Sequence, residues 1–366
     1  MLLRLRSSAT PAELEAVRAL ARELGYRPRS VGERADLLQL EGSDALVGLP
    51  QHPALFLDLS AVAEVLDRGV VRELWQRVHG GAATVVNVAG VPIGGSSVAI
   101  IAGPCAVEDR ARLLEVAHGV RAAGAVLLRG GAFKPRTSPY SFQGLGVPGL
   151  ELLAEARAET GLGIVTEVLD PRDVERVSAV ADMVQVGARS MANYALLKEL
   201  GELRKPVLLK RGFAATVEEF LGAAEYVLAG GNGQVVLCER GVRSFDRVTR
   251  NLLDVGAIAH LAQATHLPIL ADPSHAAGRA DLVPRLARAG LVSGAHGLMI
   301  EVHTAPEEAH SDGRQALDLA ALRRVVDDAR ALAELDGRTL ATLDPLPAAR
   351  RDGATNGRAV PHSRTS

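Results

Sequence analysis

Eight short, almost purely hydrophobic runs recur between residues 98 and 302, and they constrain this 366-residue chain more than any other feature. They read as strands at 98–102 (VAIIA), 125–129 (AVLLR), 163–167 (GIVTE), 183–187 (MVQVG), 206–210 (PVLLK), 234–239 (QVVLCE), 267–271 (LPILA) and 297–302 (GLMIEV). Near-continuous apolar runs suit parallel strands covered on both faces, whereas a half-solvated strand alternates. Helix signals lie between them: Asp170 caps PRDVERV, and Thr216 with Glu219 makes a capping box ahead of Phe220, Leu221 and Val227. The repeat predicts an α/β fold, a (β/α)8 TIM barrel over residues 98–336. The competing arrangement is an open doubly wound sheet, which needs a topological switch point and usually a glycine fingerprint that the sequence lacks.

Two flanks surround this core. Residues 1–75 predict a small α+β unit, opening on a strand in which Leu3 and Leu5 alternate with Arg4 and Arg6. A helix follows, with Thr10 as N-cap, Pro11 in the first turn, Glu13 closing a capping box, and a stripe of Leu14, Val17, Leu20 and Leu24. Strands are expected near Arg29–Val31 and Asp36–Leu40, then ALFLDL and a helical SAVAEVLDRGVVRELWQRV. The order is close to βαββαβ, the ferredoxin-like pattern. Gly80 and Gly81 mark a boundary, and residues 76–97 read as a linker and hairpin. Residues 337–366, rich in Pro, Gly, Ser and Arg towards the end, read as a disordered tail.

With 48% hydrophobic residues, a net charge of -2 and a pI near 6.6, the chain calls for neither a nucleic acid nor a membrane as partner. Clustered cations are then local anion sites. Cys105 and Cys238 cannot form a disulfide framework, and MLLRLRSSATPAEL lacks the hydrophobic region of a signal peptide, so a soluble cytoplasmic protein is expected. A homo-oligomer, dimer or tetramer, is expected as well.

In such a barrel, chemistry belongs to the carboxyl ends of the strands. The eight runs lead to Cys105, Arg129, Glu167, Arg189, Lys210, Arg240, Asp272 with His275, and Glu301. The loop RGGAFKPRTSPYSFQGLG adds Lys134, Arg136, Thr137 and Ser138, a set that suits phosphate: glycines let backbone amides approach, and Arg and Lys supply charge-assisted bonds. Taken alone, a KxR pair is more often a solvated loop, Cys105 a small buried hydrophobe, His275 a helix cap and Asp312 a surface carboxylate. His296, His303 and Cys238 are assigned no role.

Together, IAGPCAVED, KPRTSPY, GAR, LLKRG, CERG, LADPSHAAGR and IEVHTAPEEAHSDG resemble the type I 3-deoxy-7-phosphoheptulonate (DAHP) synthases, in a form with an N-terminal ferredoxin-like domain. The resemblance covers roughly residues 98–336. It implies a metal held by Cys105, His275, Glu301 and Asp312, and such S, N and O donors suit Mn, Fe, Co or Zn rather than Ca or Mg. It implies phosphoenolpyruvate on Arg129, Lys134, Arg189, Lys210 and Arg240, and the phosphate of erythrose 4-phosphate on Arg136 and Thr137, with Ser138 beside them. Lys134, Glu167, Asp272 and Cys105 are the residues it marks for catalysis. The reaction implied is the condensation that opens the shikimate pathway of aromatic amino acid biosynthesis, by a transferase. Related 3-deoxy-octulosonate 8-phosphate synthases, which use arabinose 5-phosphate, carry a KANRT-like sequence in place of KPRT. Ala106 departs from the family, which usually has Ser there. A metal-dependent sugar-phosphate aldolase and a non-catalytic ligand-sensing barrel are the other readings, and no ligand residue is missing as the second would require. In related enzymes an N-terminal domain of this size binds aromatic amino acids, so phenylalanine or tyrosine is the expected effector of residues 1–75, with assembly as the other role.

Overall fold

The computed structural model describes residues 2–31, 34–42, 56, 59–66, 74–77, 82–136 and 138–344. The chain divides into two compact units, Met1–Glu73 and Leu74–Ser366.

The first unit runs β1 (Leu2–Leu5), α1 (Pro11–Glu23), β2 (Tyr26–Val31), β3 (Arg34–Gly42) and β4 (Val62–Leu66). Its four strands form an antiparallel sheet in the order β2-β3-β1-β4, as in a ferredoxin-like domain. Thr10 and Glu13 close the expected capping box on α1, whose Val17 and Ala21 bury against Leu3, Leu5, Leu38 and Leu40. The helix expected over SAVAEVLDRGVVRELWQRV is corrected at Val62–Leu66, which is a strand. The three-residue spacing of Val62 and Val65 fits a helix, and in the strand it goes with a register shift against β1 between Arg4 and Leu5. Pairing with β1 decides between them, placing Val62 opposite Leu5 and Glu64 opposite Arg4, where an exposed ion pair forms at 2.9 Å. Residues 67–73, Gly80 and Gly81 lie outside the described residues.

In the second unit the eight strands form as expected: β7 (Ser97–Gly103), β8 (Leu127–Arg129), β9 (Gly163–Val168), β10 (Met183–Val186), β11 (Val207–Lys210), β12 (Val235–Glu239), β13 (Ile269–Ala271) and β14 (Gly297–Glu301). Each pairs in parallel with the next, and β14 pairs back onto β7 from Gly297↔Ala99 to Glu301↔Gly103, which closes the barrel. Around it lie α2 (Arg110–Ala122), α3 (Val147–Thr160), α4 (Val174–Val180), α5 (Tyr194–Glu202), α6 (Val217–Ala229), α7 (Val255–Ala264), α8 (Pro273–Ala277), α9 (Val283–Val292) and α10 (Leu319–Leu335). Asp170, Thr216 and Asp254 cap the elements that follow them with their side chains.

Strand parity creates two cores. Val98, Ile100, Leu128, Ile164, Val184, Leu209, Leu237 and Ile300 face the helices, while Ala99, Ile101, Leu127, Val165, Met183, Leu208, Val236, Cys238, Leu270 and Met299 fill the interior. The hairpin of β5 (Val86–Val88) and β6 (Val91–Ile93) joins the interior core through its four alternating apolar residues. Ala89 Cβ lies 2.7 Å from where a side chain on Gly163 would begin, at the start of β9, so the hairpin stoppers the barrel at its amino end. The opposite end is left for polar groups.

The disordered tail expected over residues 337–366 is corrected at its start. Residues 337–344 are ordered: β15 (Thr339–Leu340) pairs with Ser97 and Val98 of β7, and Leu340 and Leu343 pack on the core. Two apolar residues spaced three apart carry no strand period, so nothing in the sequence marks this short edge strand. Residues 345–366 lie outside the described residues. Among the described residues no helix is long and apolar enough to cross a membrane.

Candidate active site

The parity that fills the interior continues for one more step at the carboxyl ends. Arg129 follows Leu127, Glu167 follows Val165, Gln185 follows Met183, Lys210 follows Leu208, Arg240 follows Cys238, Asp272 follows Leu270 and Glu301 follows Met299. Seven polar side chains thus stand as one layer on top of an apolar one, all of them nearly or fully buried. A one-residue slip in any strand would send its member into the helix layer.

One wall of the site is a cluster of metal-ligand types. Ligand atoms of Cys105, His275, Glu301 and Asp312 all lie within 4.8 Å of one another. Cys105 Sγ is 3.2 Å from Asp312 Oδ2, and His275 Nε2 is 3.1 Å from Glu301 Oε1. Spacings of this kind are what bonds of about 2.0–2.3 Å to one shared ion produce, so the donor set fits a divalent metal. Three of the four ligands are held from behind. Asp272 Oδ2 accepts from His275 Nδ1 at 2.7 Å and also pairs with Lys210, the carboxylate–histidine arrangement that orients a ligating imidazole. Glu301 accepts from Arg129 at 2.6 Å and from Gln315 at 2.5 Å. Arg250 donates to Asp312 at 3.1 Å, and Asp312 itself takes a left-handed backbone with φ of 57° that turns its carboxylate inward.

The other wall is basic. The cavity, about 280 Å³, is lined by seven basic side chains (Arg129, Lys134, Arg136, Arg189, Lys210, Arg240 and Arg250) against two carboxylates, Glu167 and Asp312. Ser138, Gln185 and His275 line it too. Arg189 is exposed, whereas Arg240 is buried, and neither has a carboxylate within 4 Å among the described residues. Both guanidinium groups rest instead on Phe213, 5.2 and 4.7 Å from the ring centroid. Lys134 joins the two walls: its Nζ donates to the Cys105 carbonyl at 2.9 Å and reaches Cys105 Sγ at 3.1 Å.

Titration follows this layout. Burial works against the Lys134 ammonium, but the negative charge of Cys105, helped by Glu167 and Glu301, outweighs it and raises the pKa. Burial likewise opposes charge on His275, and Asp272 with Glu301 overcomes it, lifting the imidazole to about 9. Glu301 and Asp272 are held well below the usual carboxylate range by His275 and the neighbouring cations, against their burial. Burial pushes Arg240 down.

Of the residues singled out from sequence, Cys105, Arg129, Lys134, Arg136, Ser138, Glu167, Arg189, Lys210, Arg240, Asp272, His275, Glu301 and Asp312 converge on this one mouth. Thr137 lies outside the described residues. Gln185, Phe213, Arg250, Ser311 and Gln315 were missed. Gln185 was legible, since it shares strand parity with Glu167 and donates to it at 3.2 Å. Ser311, beside the candidate ligand Asp312, lies 3.2 Å from Cys105 Sγ and accepts from Arg136 at 2.6 Å. The unassigned residues stay outside: burial raises the Cys238 thiol to about 12, His296 takes the N–H of Ile269, and His303 takes that of Ala305.

Residues 82–339 match the model of the DAHP synthetase I family. The chain belongs to that family. Its relatives include phospho-2-dehydro-3-deoxyheptonate aldolase of Thermotoga maritima, 43% identical over 338 residues, which are 92% of this chain and 99% of that protein. A crystal structure of the Thermotoga DAHP synthase matches with a TM-score of 0.73 at 42% identity, covering 93% of this chain and 98% of that one. A truncated form of the 3-deoxy-D-arabino-heptulosonate 7-phosphate synthase from the same organism matches with a TM-score of 0.68 at 45% identity, over 73% of this chain and 98% of its own. The 2-dehydro-3-deoxyphosphooctonate aldolase of Acidithiobacillus ferrooxidans is 32% identical over 65% of this chain and 89% of its own length. This family member is thus an enzyme of the DAHP synthase type with a TIM-barrel fold.

Proposed function

We propose that the chain condenses phosphoenolpyruvate with erythrose 4-phosphate and water, giving DAHP and inorganic phosphate. The observation that carries this reading is a cluster of four metal-ligand side chains, of which His275 and Asp312 line a cavity with a surplus of cations, with Lys134 touching both cluster and cavity. Phosphoenolpyruvate holds a carboxylate and a phosphate close together, and Arg129, Lys134, Arg189, Lys210 and Arg240 neutralise them. Arg136, Thr137 and Ser138 take the aldose phosphate.

In the reaction, carbon 3 of the enol phosphate bonds to the aldehyde carbon while the carbonyl oxygen takes a proton. Lys134 is the donor, kept protonated by its raised pKa. Glu167, oriented by Gln185, holds the water that adds at carbon 2. The carbon–oxygen bond to phosphate then breaks; of the two protons that the water brings, one makes good the Lys134 ammonium and the other leaves on the hydrogen phosphate dianion, which the cation wall receives. Asp272 acts by fixing Lys210 and His275 together. A bound divalent ion, of the Mn, Fe, Co or Zn type, supplies Lewis-acid polarisation of the aldehyde oxygen.

The second reading is use of arabinose 5-phosphate, favoured by the 32% relatives but not by the KPRTS loop or the 43% relative. Following phosphoenolpyruvate absorbance with each sugar separates the two. Erythrose 4-phosphate should win by at least about 10²-fold in kcat/KM, because a displaced phosphate leaves Arg136 and its neighbours unpaired. Equal efficiency would sink the assignment of the aldose.

For residues 1–75 we propose control by phenylalanine or tyrosine, since none of the matched site residues lies there. The truncated relative supports treating the barrel as separable. Deleting residues 1–75 should leave turnover largely intact and abolish inhibition, a coupling of about 1–3 kcal/mol. A truncated barrel that is still inhibited, or a full chain indifferent to both amino acids, refutes this.

A further inference from the structure

Two buried charges sit directly behind the cation wall and touch none of the cavity. The parity that turns Lys210 and Arg240 inward turns their neighbours Arg211 and Glu239 towards the helix layer, and β11 and β12 run side by side there. Arg211 Nη1 donates to Glu239 Oε2 at 2.9 Å and to Asp254 Oδ2 at 3.0 Å, and its Nε donates to the Ala215 carbonyl at 3.0 Å. Glu239, wholly buried, also accepts the N–H of Gly241 at 2.6 Å, and so ties down the turn that follows Arg240. Asp254 caps α7. One guanidinium therefore satisfies two carboxylates and holds the loops after β11 and β12 together.

The front of the wall shows the complementary feature. Arg189, Arg240 and Arg243 surround Phe213, at 5.2, 4.7 and 5.5 Å from its centroid, so an uncharged ring gathers three cations without neutralising any. A free carboxylate behind Arg240 would undo that surplus, since an unpaired charge in a buried site acts over many ångströms.

We infer that Arg211 is a positioning residue of the active site: it sequesters Glu239 and Asp254 behind the strands, so that Arg240 stays unpaired and available to the anionic substrate. This rests on the reading that the wall binds phosphoenolpyruvate. The test uses the full-length, metal-loaded enzyme, with steady-state kinetics and calorimetric titration of phosphoenolpyruvate. Arg211→Met should raise KM for phosphoenolpyruvate and weaken its binding by about tenfold, while kcat changes less. The double variant Arg211→Met with Glu239→Gln removes the fully buried one of the two stranded charges, leaving only the part-exposed Asp254, and should recover most of the affinity. Glu239→Gln alone, which keeps the guanidinium, should bind equally well or better, and it serves if Arg211→Met does not fold. Wild-type affinity in Arg211→Met, a double variant no better than the single, or weakened binding in Glu239→Gln would each overturn the inference. If the wild-type enzyme binds no phosphoenolpyruvate, the reading of the wall itself fails, and this inference with it.

Discussion

Lys134→Ala should lower kcat by about 10²–10⁴-fold while leaving the fold intact. The ammonium touches the Cys105 carbonyl and Sγ, faces Glu167 and Glu301 electrostatically, and lines the cavity, which puts it where the two proposed substrates meet. Loss of the proton donor acts on the transition state, and kcat should fall more than KM rises. Stability should hold because Lys134 belongs to a loop and Arg129 remains to cover the Cys105 carbonyl at 3.2 Å. Stopped-time assays beside thermal unfolding check both parts. A variant within tenfold of wild-type kcat would remove Lys134 from the chemistry.

Cys105→Ala should abolish turnover and metal retention together. The thiolate supplies one of the four clustered donors among the described residues, and even the partners behind a ligand are worth about 10–100-fold in metal affinity, so a ligand should be worth more than about 100-fold. In the wild-type chain exhaustive chelation should stop turnover, and added Mn or a similar ion should restore it. In Cys105→Ala no ion should. Cys105 is buried and small, so alanine keeps the packing and the melting temperature of the metal-free forms should agree within a few degrees. Full activity in excess chelator would contradict the metal assignment.

How far the sequence could be read depended on what each residue answers to. Arg129, Lys210 and Glu301 were visible because a charge that ends an apolar run with the parity of the barrel interior has only the mouth to occupy. Gln185 hid inside MVQVG because one amide does not break a hydrophobic run, although its parity marks it as interior. Ser311, Gln315 and Arg250 come from loops, whose positions are set by tertiary contacts such as Arg250 on Asp312 and Gln315 on Glu301. Val62–Leu66 was misread for a related reason: its apolar spacing is helical, and only pairing with β1, through a register shift, makes it a strand. The pairing of Arg211 with Glu239 and Asp254 joins residues far apart in sequence, and no local pattern announces it.

One ion on Cys105, His275, Glu301 and Asp312, with phosphoenolpyruvate against the cation wall beside it, is the arrangement on which the proposed chemistry depends. A crystal soaked in Mn and phosphoenolpyruvate, measured for anomalous scattering, tests this in a single experiment. One anomalous peak is expected within about 2.0–2.5 Å of all four ligand atoms, and a phosphate and carboxylate in contact with Arg129, Lys134, Lys210 and Arg240. An ion bound elsewhere, or phosphoenolpyruvate lying outside this mouth, would contradict it.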